Sequence, residues 1–297
     1  MNTRRLGIIG LGNMGGRMTR RCVDAGIEVQ GYDTVHERAA AAGARAASSV
    51  RQVTGFADVV LLSLPDSTVV EAVVEGVEGI LAACSEGQTV IDLSTAAASS
   101  TIRLNALFAQ RGVHYIDAGI SGGAAAAEKG TLTLMVGGDP AAIDAVRWVF
   151  KPIAAKVVNM GASGMGHTTK LLNNFLNAVS LAATAEVMVA GKKAGLDLHQ
   201  LLDVLNSSSG VNYATQNRFP RIVDGDYLEG GLSGKLMTKD VVLYVDLVRA
   251  LGVTSLNAAG PLASFGLATA LGYGDRISNR VVDAIGDVSG GIRLKDI

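Results

Sequence analysis

Short apolar runs alternate with amphipathic stretches through the first half of the chain. Residues 5–9, 28–32, 59–63, 89–92 and 113–117 read as buried strands; residues 14–25, 37–42, 67–74 and 99–110 between them read as helices. This rhythm predicts a parallel, doubly wound α/β sheet with helices on both faces and right-handed crossovers. Residues 131–136 and 156–158 extend the set of strands, around a helix opened by Asp139-Pro140 with proline in its first turn. After Gly164 the period changes. Residues 167–194 form one long predicted helix whose apolar positions are Leu171, Leu172, Phe175, Val179, Ala182 and Val187, with no glycine or proline before Gly191. Further helices are expected at 197–205, 236–251 and 261–271, and strand alternation does not return. Two domains follow: residues 1–163, the α/β sheet, and residues 164–297, all-helical and entered through the long helix.

A length of 297 residues fits two cores better than one. Glycine is abundant, at 37 residues, but it sits in turns and motifs and does not mark disorder. A net charge of -1 offers nothing to nucleic acid or to an anionic membrane, and 4% aromatics makes base-stacking platforms improbable. Cys22 and Cys84 make no disulfide framework, and the scattered His36, His114, His167 and His199 share no metal-ligand spacing with them. Arg4-Arg5 runs directly into Leu6-Gly7-Ile8-Ile9 without a long apolar region or cleavage site, and no run approaches the ~20 apolar residues of a membrane span. The expectation is a cytoplasmic protein with free thiols and no metal.

Gly10-Leu11-Gly12-Asn13-Met14-Gly15 follows a predicted strand and opens a predicted helix, the setting a dinucleotide-binding loop requires. Gly10 permits the tight turn, Gly12 lets backbone approach a pyrophosphate, and Gly15 allows helix–strand packing, with the helix N–H groups facing the phosphates. Asp33 ends the second strand, where a carboxylate can bond the ribose hydroxyls and repel a 2′-phosphate. NAD is therefore expected in preference to NADP. Leu64-Pro65 and Thr95 follow the third and fourth strands on the edge that faces a cofactor in such sheets; ordinary strand-to-helix loops are the plainer alternative.

Gly164-Met165-Gly166-His167-Thr168-Thr169-Lys170 puts a lysine in the first turns of the long helix, with Asn174 at i+4 on the same face and Asn173 beside it. Together these motifs resemble the β-hydroxyacid dehydrogenase family over nearly the whole chain. The resemblance includes Leu64-Pro65, Asp92-Leu93-Ser94-Thr95, Asp117-Ala118-Gly119-Ile120-Ser121-Gly122-Gly123, Gly130-Thr131-Leu132, Met135-Val136-Gly137-Gly138, Lys170-Leu171-Leu172-Asn173-Asn174 and Lys239-Asp240. It implies a Rossmann-type domain followed by an all-α C-terminal domain linked by a long helix, in homodimers or homotetramers. It implies Lys170 and Asn174 as catalytic residues with Ser121; Ser121, Gly122, Gly123 and Asn173 against the substrate; and Gly10, Gly12, Asn13, Met14, Gly15, Asp33, Leu64, Pro65, Thr95 and Lys239 against NAD. Three departures stand out. Ala118-Gly119-Ile120 replaces the family's common Ala-Pro-Val and reads as a less rigid loop. Ala96-Ala97-Ala98 follows Thr95 where proline is usual, and Thr19-Arg20-Arg21 replaces a small residue and an asparagine.

The chemistry these residues fit is oxidation of a small β-hydroxy acid to its semialdehyde, or the reverse. Lys170 takes the hydroxyl proton as general base and returns it as general acid. A free lysine near pKa ~10.4 is a poor base at neutral pH, so Lys170 is expected to titrate well below that when NAD is bound. Ser121 with the N–H groups of Gly122 and Gly123 forms a carboxylate nest. Asn174 holds the lysine or substrate oxygen, or Asn173 reaches the substrate instead. Ser207–Gly210 with Asn212, Tyr213 and Gln216 is a polar loop expected to shape the substrate pocket, while His167 is expected in a supporting or surface position and Lys239-Asp240 also fits a solvated helix pair. The remaining alternatives are a semialdehyde reductase of the tartronate semialdehyde or threonate type and a non-catalytic dinucleotide-binding module.

Overall fold

The computed structural model describes residues 4–295, in two compact units that divide between Lys170 and Leu171. The first unit is an eight-stranded sheet: β1 (Arg5–Ile9), β2 (Glu28–Tyr32), β3 (Arg45–Ala46), β4 (Val59–Leu62), β5 (Thr89–Asp92), β6 (His114–Ser121), β7 (Leu132–Gly137) and β8 (Ala154–Gly161). The spatial order is β3-β2-β1-β4-β5-β6-β7-β8. Strand residues alternate between two cores. Leu6, Ile8, Leu61, Ile91 and Ile116 pack on one face with Met18 and Phe150, while Ile9, Val60, Leu62, Val90 and Tyr115 pack on the other with Phe108.

All strand pairs are parallel except β6 with β7. The connection there is only the Gly123–Lys129 helix and two flanking turns, too short for a crossover, so the chain folds straight back. The sequence reading missed that reversal. It also missed β3 and the Val50–Phe56, Ile80–Ala83 and Gly123–Lys129 helices, each too short to develop a period. It cut β8 short as well, because this strand is largely exposed and carries no apolar alternation.

The second unit is helical throughout its described residues apart from one isolated bridge between Ser233 and Ile277. Its principal helices are the long Met165–Lys193 helix, which begins in the first unit, Leu198–Asn206, Gly234–Ala250, Ala259–Ala270 and Val281–Val288. Phe175, Leu181, Met188, Phe219, Met237, Val241 and Phe265 meet in its core. Two positions expected inside, Leu172 and Val187, are each 44% exposed, and the neighbouring Leu176 is 66% exposed. Ala178, Leu181, Ala185 and Met188 are buried in their place. The long helix is apolar on two faces, so hydrophobicity alone does not reveal which one turns inward.

Candidate active site

Chain order reverses between β1 and β4, both of which are paired in parallel at the centre of the sheet. Ligands of open α/β sheets lie beyond the strand C-termini at such a switch point. On that edge are Gly10 after β1, Asp33 after β2, Leu64-Pro65 after β4, Thr95 after β5 and Ser121 at the end of β6.

The three loop glycines are demanded by different things. Gly10 has φ 91°, and a Cβ on it would lie 2.3 Å from the Ser63 carbonyl oxygen. A Cβ on Gly15 would lie 2.0 Å from the Gly10 carbonyl oxygen. One on Gly12 would meet nothing within 4 Å, so the protein's own packing does not require glycine there. Gly12 precedes the Asn13–Asp24 helix, which has no side-chain cap. The cap residue thus supplies no side-chain acceptor to the first turn of that helix. A cavity of about 540 Å³ adjoins this start; its lining includes Gly12, Asn13, the basic Arg17, Arg20, Arg21 and Arg38, and the acidic Asp24 and Glu128. Open backbone at Gly12 and the excess of arginines over carboxylates along this wall fit a dinucleotide's phosphates. Asn13 is exposed and its carbonyl accepts from Arg17 at 2.7 Å, whereas Met14 packs partly against the core.

Asp33 is buried. Its Oδ2 accepts from Leu11 N at 2.7 Å and its Oδ1 from Val35 N at 2.9 Å and from Arg38 at 3.2 Å. Burial by itself would raise this carboxyl, but the Val35 and Leu11 amides and Arg38 outweigh it and hold the group below the usual carboxylate range. Asp33 thus ties the glycine loop to the end of β2. The loops after β4 and β5 are stitched together: Leu64 N donates to Ser94 Oγ at 3.0 Å, and Ala97 N donates to Ser67 Oγ at 2.8 Å. Pro65 is exposed and Thr95 half-buried between these ties.

Lys170 is half-buried and lies against β6, where a Cβ on Gly119 would come within 2.6 Å of the Lys170 Cβ. This overturns the reading of Ala118-Gly119-Ile120 as a loosened loop. All three lie in β6, paired with Val136, Met135 and Leu134 of β7. Two residues beyond Gly119, the half-buried Ser121 closes the strand, and Gly122 and Gly123 follow with φ 126° and 68°. His167 is fully buried, which removes the surface alternative; its Nδ1 lies 2.7 Å from Thr101 Oγ1 and its Nε2 3.2 Å from the Asp92 carbonyl oxygen.

In the second unit, Asn173 is exposed while Asn174 is buried and donates from Nδ2 to Asp240 Oδ2 at 2.5 Å. Lys239 Nζ lies 2.9 Å from the other Asp240 oxygen. Asp240 is 1% exposed, so Lys239-Asp240 is not a solvated pair. Asn212 caps the Tyr213–Asn217 helix through Ala214 N at 2.8 Å and Thr215 N at 3.2 Å, ordering the polar loop before it. Buried Asp117, Asp92 and Asp240 are the partners that the sequence reading missed. Each adjoins a recognised motif, but nothing in the residue order says which neighbour turns inward.

The model for the NAD binding domain of 6-phosphogluconate dehydrogenase matches residues 5–161, and that for the NAD-binding region of NADP-dependent 3-hydroxyisobutyrate dehydrogenase matches residues 164–283. The NAD-dependent L-serine dehydrogenase of Pseudomonas aeruginosa is 35% identical over 283 residues, covering 92% of this chain and 95% of that protein. The 2-(hydroxymethyl)glutarate dehydrogenase of Eubacterium barkeri is 34% identical over 246 residues, covering 82% of this chain and 81% of that one. The solved structure of Mycobacterium tuberculosis 3-hydroxyisobutyrate dehydrogenase with L-serine superposes with a TM-score of 0.84 at 32% identity, covering 94% of this chain and 98% of that one.

Proposed function

The chain belongs to the β-hydroxyacid dehydrogenase family, and from that premise we propose that Lys170 is its proton-transfer residue and that a small β-hydroxy acid is its substrate. The enzyme is an NAD-dependent oxidoreductase acting on the CH–OH group of a β-hydroxy acid, yielding the semialdehyde. The observation that carries our reading is the collection of the glycine loop, Asp33, the stitched loops after β4 and β5, Ser121 and the Lys170 stem along one edge of one sheet.

Gly10, Gly12, Asn13, Met14, Gly15, Asp33, Leu64, Pro65, Thr95 and Lys239 hold the dinucleotide, which when bound takes up or gives back the hydride. NADP ranks second because the Asp33 charge opposes a 2′-phosphate. Ser121 with the amides of Gly122 and Gly123 binds the substrate carboxylate. Lys170, as the free amine, accepts the proton of the substrate hydroxyl during oxidation and, as the ammonium, returns it to the carbonyl oxygen during reduction. Asn174 stands one helical turn beyond Lys170, its amide held by Asp240, and supports the substrate oxygen; Asn173, being exposed, offers a second amide. In this reading residues 1–163 serve the cofactor and 164–297 the substrate and assembly.

The exposed Leu172, Leu176 and Val187 form an apolar stripe on the long helix that fits burial against a second copy, as a homodimer or homotetramer. No helix among the described residues is long and apolar enough to cross a membrane. Buried Cys22 and half-buried Cys84 are both free, which accords with a cytoplasmic enzyme. The deciding experiment records NADH absorbance with purified protein, NAD or NADP, and a panel containing 3-hydroxyisobutyrate, glycerate, L-serine, L-threonate and 2-(hydroxymethyl)glutarate. Turnover of at least one acid with NAD, abolished in Lys170→Ala, is expected. Cofactor binding without turnover of any acid would overturn the substrate assignment.

A further inference from the structure

Strand β6 turns Asp117, Gly119 and Ser121 to one face, since alternate strand residues share a side. The last of these faces substrate in the reading above. The first two meet the helix that carries Lys170. Asp117 is wholly buried; its Oδ1 accepts from Gly164 N at 2.7 Å and its Oδ2 from His167 N at 2.8 Å. The helix begins at Met165, so these amides are among those a helix start leaves without an internal partner. Ordinarily the preceding side chain supplies the acceptor. Here that residue is Gly164, and the acceptor comes instead from a strand 47 residues earlier.

The approach is possible only because of glycines. A Cβ on Gly166 would lie 2.4 Å from the Met135 carbonyl oxygen and 2.7 Å from that of Asp117. One on Gly137 would lie 2.8 Å from both Asp117 Oδ1 and Gly166 N. Lys170 follows one turn after Gly166, and its Cβ and Cγ would stand 2.6 and 3.1 Å from a Cβ on Gly119.

We propose that β6 is the seat of Lys170: Asp117 is a positioning residue that anchors the helix start and supplies a fixed negative charge beneath it, and Gly119 admits the lysine stem. This rests on the reading of Lys170 as the acid–base group. Both Asp117 oxygens accept amide protons, which is the arrangement of an ionised carboxylate. Burial pushes this carboxyl above its usual range, and His167 with the two amides pulls in the opposite direction. The other ionisable groups facing it are His167 on the helix, Asp92 beside it on β5 and Tyr115 on β6. Asp92 is itself satisfied by the Tyr115 hydroxyl at 3.0 Å and Ser94 N at 2.9 Å. A negative charge at Asp117 favours the ammonium form of Lys170, so its removal drives the lysine towards the free amine.

The test uses the complete protein with 13C-labelled lysine ε-carbons, the Lys170 signal being identified by its loss in Lys170→Arg. Asp117→Asn keeps the side-chain size but removes the charge and leaves one acceptor for two amides. Its Lys170 titration midpoint is expected to fall by roughly half a pH unit or more. Turnover with L-serine or 3-hydroxyisobutyrate is expected to fall about tenfold or more from displacement of the amine, with NAD affinity unchanged. Gly119→Ala, which presses on the stem without altering charge, is expected to lose turnover while keeping both the midpoint and NAD affinity. A folded Asp117→Asn protein with unchanged midpoint and turnover overturns the seat, and so does unchanged turnover in Gly119→Ala if Asp117→Asn does not fold. The midpoint is read without substrate, so it decides even if neither acid is turned over. Normal turnover in Lys170→Ala would instead sink the acid–base assignment itself.

Discussion

Two helix starts in the first unit solve the same electrostatic problem in opposite ways. Each brings the first N–H groups of a helix and the positive end of its dipole against a strand end, and each uses glycines to get there. At the Asn13–Asp24 helix no side chain closes the start, and the position of Gly12 is open. At the Met165–Lys193 helix a buried carboxylate, Asp117, takes two of the amides. The first start has no side-chain acceptor at its cap; the second is held by a carboxylate from another strand. A helix N-terminus therefore does not define an anion site until its internal acceptors have been counted.

The comparison can be broken most sharply at the lysine. Lys170→Ala should lower turnover by about 10²–10⁴-fold while cofactor affinity, measured by calorimetry, stays close to that of the parent. Equal losses in both quantities would mean that the second helix start also serves the cofactor. Next in size is the pair Gly15→Ala and Gly12→Ala. The Gly15 change drives a Cβ into the Gly10 carbonyl and should cost about 3 kcal/mol or more in urea unfolding. Gly12→Ala should instead unfold like the parent while its NAD affinity drops by about tenfold. A Gly12→Ala protein with normal affinity would show that the open position faces no ligand.

The smallest effects are in pH dependence, where the two carboxylates oppose one another. The folded state lowers Asp33, so that group adds stability above the unfolded carboxylate range and loses it as pH falls through its folded value. Burial raises Asp117, so its protonated form is favoured by folding, and its contribution declines as pH rises from the unfolded to the folded value. Chemical denaturation between about pH 3 and 7 should therefore show a shallower acid loss of stability in Asp33→Asn and a steeper net gain with pH in Asp117→Asn. Parallel curves for the two variants would contradict the assigned directions.

The legible parts of this molecule are those whose signal is local. β1, β2 and β5 are read to the residue: β1 and β5 are short runs buried almost throughout, and β2 is bounded by Gly26 and Asp33. The strand-to-helix setting of the glycine loop is read because its spacing, the preceding strand and Asp33 all lie within one βαβ unit. Lys170 is placed on the correct helix because a long uninterrupted period announces itself. What failed locally failed for lack of length or contrast: β3 has two residues, β8 is an exposed edge, and the long helix is apolar on both sides.

The sequence by itself determined the alternating α/β unit, the helical unit after it, and the residue types able to bind a dinucleotide and move a proton. Tertiary structure alone decided that Ala118, Gly119 and Ile120 belong to a strand, that β7 runs against β6, and that Asp117 rather than a neighbouring residue closes the lysine helix. The physical reason is range. Periodicity and turn chemistry act over a few residues, whereas a buried N–H group takes whichever acceptor the fold brings within about 3 Å, however far away it lies in the chain.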